Sequence, residues 1–280
     1  LIIIHKSFIV RAMSIPGKCR YLSPMSIFHG VRPMRIKSVL LFLSAFITFS
    51  AGIAHGSPIL VKNGDFELTS KGGNKKVNGT HLESDRTTLT GWTSSENGGK
   101  GGGYNFVLDS TIANTPRSAL WLEGKGNGYT ASPTGGNFFA SDSQYHPGML
   151  SQLISGLTIG TSYLLTFDYA LAQQVGFYGA NYDNFWEVGF GSATASTVPL
   201  SIADNAFSGW KTATMAFTAT SASEMLSFLA RGTAPGAPPF MLLDNVALNA
   251  EVPEPATWML MIGGLGLLAF NARRRRNARV

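Results

Sequence analysis

The segment Gln173-Gln174-Val175-Gly176-Phe177-Tyr178-Gly179-Ala180-Asn181-Tyr182-Asp183-Asn184-Phe185-Trp186 sets flat aromatic rings among amides and a carboxylate. A pyranose needs both kinds of partner. A ring face packs on its C–H face, and polar side chains hydrogen-bond its hydroxyls. Tyr178, Tyr182 and Trp186 are the candidate platforms, with Gln173, Asn181 and Asp183 as polar partners. Tyr178 and Tyr182 are flanked by Gly and Asn, which favours exposure. Trp186 and Phe190 alternate in phase, which favours burial in a core, and Trp92, Trp121 and Trp210 are expected in the core as well.

A second chemistry lies in Leu242-Leu243-Asp244-Asn245-Val246. Asp244 alternates with Leu242, Val246 and Leu248, a phase that points it inward. A buried carboxylate is costly unless it is paired or holds a metal. Calcium takes six to eight oxygens and accepts carboxylates and backbone carbonyls. An exposed Asp244, or a buried pair with a cation, are the alternatives.

Covalent catalysis finds little material. Between residues 57 and 252 the histidines are His81 and His146, and the single cysteine, Cys19, lies outside. A thiol nucleophile, a disulfide and a Cys-ligated zinc are excluded from that span. No H-E-x-x-H or G-x-S-x-G occurs. Glu83, Asp85, Glu96, Asp109 and Glu123 read as solvated acids rather than a glycosidase pair. The expectation is therefore a protein that is not an enzyme. Asn97-Gly98-Gly99-Lys100-Gly101-Gly102-Gly103 lacks the Ser or Thr of a phosphate loop and reads as a surface loop.

The elements that must position these residues are strands. Ser162–Leu171 sets Tyr163, Leu165, Phe167 and Tyr169 against Leu164, Thr166 and Asp168 with a period of two. Further strands are expected over 104–109, 119–123, 184–190, 210–219, 224–230 and 240–248. Turn clusters separate them, Gly is abundant at 32 residues, and no helix-period stretch intervenes. The pattern predicts an all-β protein, an antiparallel sandwich over residues 57–250.

The chain ends carry addresses. Met34-Arg35-Ile36-Lys37, an apolar run from Val39 to Phe49 and Ala54-His55-Gly56 form the three parts of a secretory signal, residues 34–56. Residues 1–33 are expected to stem from an upstream start assignment, with Met34 as initiator. At the other end, residues 251–280 run from Pro253-Glu254-Pro255 through an apolar stretch, Ala256 to Phe270, to Arg273, Arg274, Arg275 and Arg276. Fifteen apolar residues reach about 22 Å as helix, short of a roughly 30 Å hydrocarbon core. The arginines would sit in the cytoplasm and snorkel to cover the mismatch. A short transmembrane helix is expected there, with the body across the membrane.

The formal charge of +6 sits in these ends. Residues 57–252 hold ten basic and fifteen acidic residues. With no basic patch on the body, nucleic-acid binding is excluded.

The C-terminal order resembles the PEP-CTERM sorting signal of Gram-negative bacteria. The resemblance implies recognition by an exosortase and the secretion machinery, an inner-membrane intermediate, and delivery to the cell surface, outer membrane or extracellular matrix. The body, opening with Asn63-Gly64-Asp65-Phe66-Glu67 and closing with Leu242-Leu243-Asp244-Asn245-Val246, resembles carbohydrate-binding modules with the galactose-binding-like jelly-roll fold. That resemblance implies that the opening and closing segments lie side by side. It also implies a structural Ca2+ held through Glu67 and Asp244, and extracellular polysaccharide as partner. A structural or adhesive body without small ligand, and a secreted glycan-active enzyme, are the competing readings.

Overall fold

The computed structural model describes residues 60–79, 83–96, 103–124, 126–232, 237–251 and 257–277. The expected segments 1–33 and 34–56 and the tripeptide Pro253-Glu254-Pro255 lie outside the described residues. The chain divides into two units, Leu1–Ile53 and Ala54–Val280, and all described residues belong to the second.

Among the described residues, twelve strands build two antiparallel sheets. The first runs β1 (Lys75–Lys76), β3 (Asn105–Asp109), β4 (Asn137–Asp142), β12 (Pro239–Ala250), β6 (Ser162–Gln173) and β10 (Lys211–Thr218). The second runs β2 (Thr93–Glu96), β5 (Gly148–Ser155), β11 (Ser223–Arg231), β7 (Asn181–Phe190) and β8 (Ala193–Ser196), with β9 (Leu200–Ile202) paired to β7.

The period of two places Tyr163, Leu165, Phe167 and Tyr169 of β6 in the core between the sheets. They meet Trp186, Val188 and Phe190 of β7 and Leu226 and Phe228 of β11. Phe228 stands edge-on to Phe167 at 5.2 Å and to Trp186 at 6.1 Å between ring centres. Each buried aromatic of this kind contributes roughly 1.5–3 kcal/mol.

A second core lies on the other face of the first sheet. Phe106 and Leu108, Phe138 and Ala140, Ala170 and Ala172, and Phe240 and Leu242 pack beneath Ala113, Leu120 and Leu122 of the 110–136 segment. That segment corrects one expected strand. Residues 119–123 alternate because Leu120 and Leu122 face the sheet, but the Leu122 N–H donates to Ala113 O and the Glu123 N–H to Gln173 O, so the stretch is a cover. Trp121, expected in the core, is 40% exposed as a consequence.

The opening and closing segments touch, as the resemblance implied. The Val246 N–H donates to Gly64 O at 2.9 Å. Asn63 has a positive φ of 53°, and its side chain accepts from the Leu68 N–H and donates to Leu68 O and Thr90 O. Gly64 is required by proximity, since a Cβ there would lie 2.0 Å from Val246 O.

At the C-terminus α1 (Thr257–Asn277) takes up the apolar stretch and the arginines in one helix. Arg273, Arg274 and Arg275 are exposed. Among the described residues no helix is long and apolar enough to cross a membrane. The four arginines, Arg273 to Arg276, use up the last part of α1 and leave its apolar run short.

The contact at Gly64 generates a prediction. Gly64→Ala forces the opening segment off the closing strand and costs about 2 kcal/mol or more. Calorimetry should show the melting temperature falling by roughly 5 °C or more for a domain of this size.

Candidate functional site

Asp244 is fully buried, but not by the inward phase expected from sequence. The register of β12 against β6 shifts between Asp244 and Ala247, and Asn245 takes a positive φ of 53°. This bulge changes the phase. Met241, Leu243, Val246 and Leu248 all enter the core between the sheets, whereas Leu242 joins the outer core. Asp244, two residues after Leu242, shares that outer face. It lies under the 132–137 loop.

There it stands opposite Asp168 of β6. Asp244 Oδ2 accepts from the Ser132 and Thr134 hydroxyls, the latter at 2.6 Å, and Oδ1 from the Asn245 N–H at 2.7 Å. Asp168 accepts from Thr212 Oγ1 at 2.6 Å and from Asn245 Nδ2 at 3.2 Å. Burial pushes the Asp244 carboxyl up to about 6, against the pull of the Ser132, Thr134 and Asn245 donors, and Asp168 adds to the rise.

Glu67 is exposed and grips the same loop elsewhere. Its carboxylate accepts from the Asn137 N–H at 2.5 Å and from Asn137 Nδ2 at 3.1 Å. Among the described residues no three His, Cys, Asp or Glu side chains gather as a metal cluster. The oxygen-only set of Asp244, Asp168, Ser132 and Thr134 suits a hard cation in kind.

The expected sugar-binding residues divide. Tyr178 is 80% exposed and Tyr182 53%, and Asp183 is exposed too. Gln173, Asn181 and Trp186 are buried. Trp186 belongs to the core, with its indole N–H donating to Leu242 O at 3.0 Å. Gln173 is a strut: its Nε2 donates to Phe177 O and to Asp204 Oδ1, and Asp204 Oδ1 also accepts from the Gly179 N–H. The neighbouring chain is held by Trp121 O, which accepts from the Val175 N–H. Asn181 is 1% exposed, and its side-chain amide meets no hydrogen-bond partner among the described residues.

The cleft itself lies beside these residues. Tyr145, Phe177, Gln174 and Pro238 line a cavity of about 220 Å³, closed by Tyr104, Asp142 and His146. Tyr104 and His146 are shared with a second cavity of about 320 Å³, whose other walls are Lys76 and Gly103. Tyr145 is 50% exposed and Phe177 45%.

Asp142 builds the turn that presents Tyr145 and His146. Its Oδ1 accepts from the Gln144 and Tyr145 N–H groups at 2.9 and 3.1 Å, and its Oδ2 from the His146 N–H at 3.0 Å. The Ser143 hydroxyl donates to Asn184 Oδ1 at 2.6 Å and ties this turn to β7. Both walls of the cleft are therefore fixed by buried polar side chains. The sequence reading missed the 142–146 turn. Asp142-Ser143-Gln144 carries the signal of an acid bonding to the backbone two residues on.

Residues 251–276 match the PEP-CTERM protein-sorting motif, the mark of an exported chain. Over 219 residues, 77% of this chain, the sequence is 29% identical to halomucin of Haloquadratum walsbyi, and it spans 2% of that protein's length. Among solved structures, TmCBM61 in complex with β-1,4-galactotriose aligns at 13% identity over 70% of this chain and 100% of its own, with a TM-score of 0.38. A protein of Bacteroides thetaiotaomicron aligns at 12% identity over 69% of this chain and 100% of its own, with a TM-score of 0.35.

Replacing Asp142 by Ala should release three N–H groups of the turn. Each buried hydrogen bond lost costs about 1 kcal/mol. Hydrogen exchange should rise at residues 144–146 before it rises in β6.

Proposed function

We propose that the sandwich is a non-catalytic polysaccharide-binding module of an exported protein. It holds saccharide in the cleft between the 142–146 turn and the 174–177 segment. One observation carries this reading: Tyr145 and Phe177 are large rings left half in solvent at the cleft, while Asp142 and Gln173 behind them are held by hydrogen bonds. Such rings bury the C–H face of a sugar, and Gln174 and His146 offer hydrogen bonds to its hydroxyls. Tyr178, Tyr182 and Asp183 extend the candidate surface on the same connection and its following strand. The sorting segment sends the body outward through an exosortase acting at Pro253-Glu254-Pro255, to the cell surface or matrix.

Affinity electrophoresis of the full chain in polysaccharide gels tests the site. Tyr145→Ala and Phe177→Ala should each weaken retention by about tenfold, as loss of one well-packed aromatic does, with the melting temperature unchanged. Retention by both variants equal to that of the parent chain overturns this cleft.

We further propose a structural calcium ion bound by Asp244 and Asp168 with Ser132 and Thr134. Its role is to neutralise two facing buried carboxylates and clamp the 132–137 loop, to which Glu67 is also bonded. Calcium should raise the melting temperature and chelator lower it. In Asp168→Asn the shift should vanish, and an equal shift in that variant would contradict the assignment.

A further inference from the structure

The larger cavity differs in charge from the smaller one beside it. Of its walls, Lys76 and His146 are basic and Tyr104 and Gly103 are neutral, with no acid among the described residues that line it. The Lys76 ammonium lies 5.0 Å from the centre of the Tyr104 ring, so a π face supports the cation at the cavity wall. Its position is set by β1, where Lys76 pairs with Phe106 of β3. His146 comes from the opposite side, exposed on the turn that Asp142 organises.

Gly103 leaves this wall as bare backbone, since a Cβ there would lie 2.5 Å from Gly148 Cα. The nearest acid in the adjoining cavity is Asp142. Its two oxygens already receive three N–H groups of the turn.

We infer that the cleft takes an acidic glycan, with the carboxylate of a uronic acid residue seated between Lys76 and His146. The inference rests on the polysaccharide-binding reading and names the ligand class of the same site. The carboxylate accepts from the Lys76 ammonium and an imidazole N–H of His146, while the next sugar of the chain lays its C–H face on Tyr145 and Phe177. A volume of about 320 Å³ is near the lower end of the range of roughly 300–1,000 Å³ for ligand sites, which suits a short stretch of glycan at its charged point.

Over residues 57–252 acids outnumber bases, fifteen to ten. A polyanion therefore meets net repulsion from residues 57–252, and its binding depends on a local basic contact such as this cavity. That makes recognition local and dependent on salt.

The test uses the full chain with alginate and polygalacturonate, each as the free carboxylate and as its methyl ester. The backbones are then the same and only the charge differs. The free forms should bind at least about tenfold tighter than the esters at low salt, and the ratio should shrink at high salt. The double variant Lys76→Gln, His146→Gln should bring the ratio to about one, and Lys76→Arg should restore part of it in the same background. Melting curves establish that the variants are folded. Equal binding of acid and ester by the parent chain overturns the charge assignment and leaves glycan binding standing. An acid preference that survives the double variant overturns the site. No binding of any of the four polymers overturns both readings.

Discussion

The pairing of β6 with β12 is the constraint on which the remaining architecture depends. These two strands run side by side in the middle of the first sheet and carry buried side chains on both faces. One face supplies the core between the sheets, the other the core beneath the 110–136 cover. The elements of the candidate sites emanate from the ends of this pair and from its bulge. β6 leads through Gln173 into the 174–177 wall of the cleft. β12 begins at Pro239, after Pro238, which also lines the cleft. Asp244, the last residue before the bulge at Asn245, faces Asp168 in the unbroken register. A ladder buried on both sides resists slipping, because a one-residue shift would exchange the two apolar sets.

Much of this ladder could be read from sequence, and the reasons where it could not are physical. Tyr163, Leu165, Phe167 and Tyr169 alternate with smaller and polar residues, and the alternation marks one buried face. β4 carries no such mark. Phe138, Phe139 and Ala140 are all buried because both faces of the strand are covered, so the period of two is erased. In residues 119–123 the alternation is present without the strand, since a loop laid over a sheet buries every second side chain just as a strand does. Asp244 shows the cost of one extra residue. Its phase with Val246 and Leu248 is sound in the sequence, and a bulge that no local pattern announces reverses it.

The candidate site was legible in its residue types more than in its location. Exposed rings beside Gly and Asn pointed to the connection after β6, and Tyr178 and Tyr182 are exposed there. Composition could not separate side chains that would meet a ligand from those that hold the loop. Gln173 looks like a sugar-binding amide and serves as a buried strut, because β6 continues two residues past the expected end and carries it inside. The complementary wall comes from residues 142–146, far away in sequence. Asp142, Tyr145 and His146 meet the 174–177 segment only through the strand order β4-β12-β6. Convergence of that kind is a property of topology, and no window along the chain contains it.

On the proposed function, saccharide sits at the end of the sandwich bearing Tyr104, Tyr145, His146 and Phe177. Amide chemical-shift mapping of the labelled chain, titrated with a polygalacturonate oligosaccharide, addresses it most directly. Saturable shifts concentrated at residues 103–104, 144–146 and 174–177 are the expected result. Shifts confined to the exposed faces of β8 or β10, or a spectrum that does not change up to millimolar sugar, would contradict it.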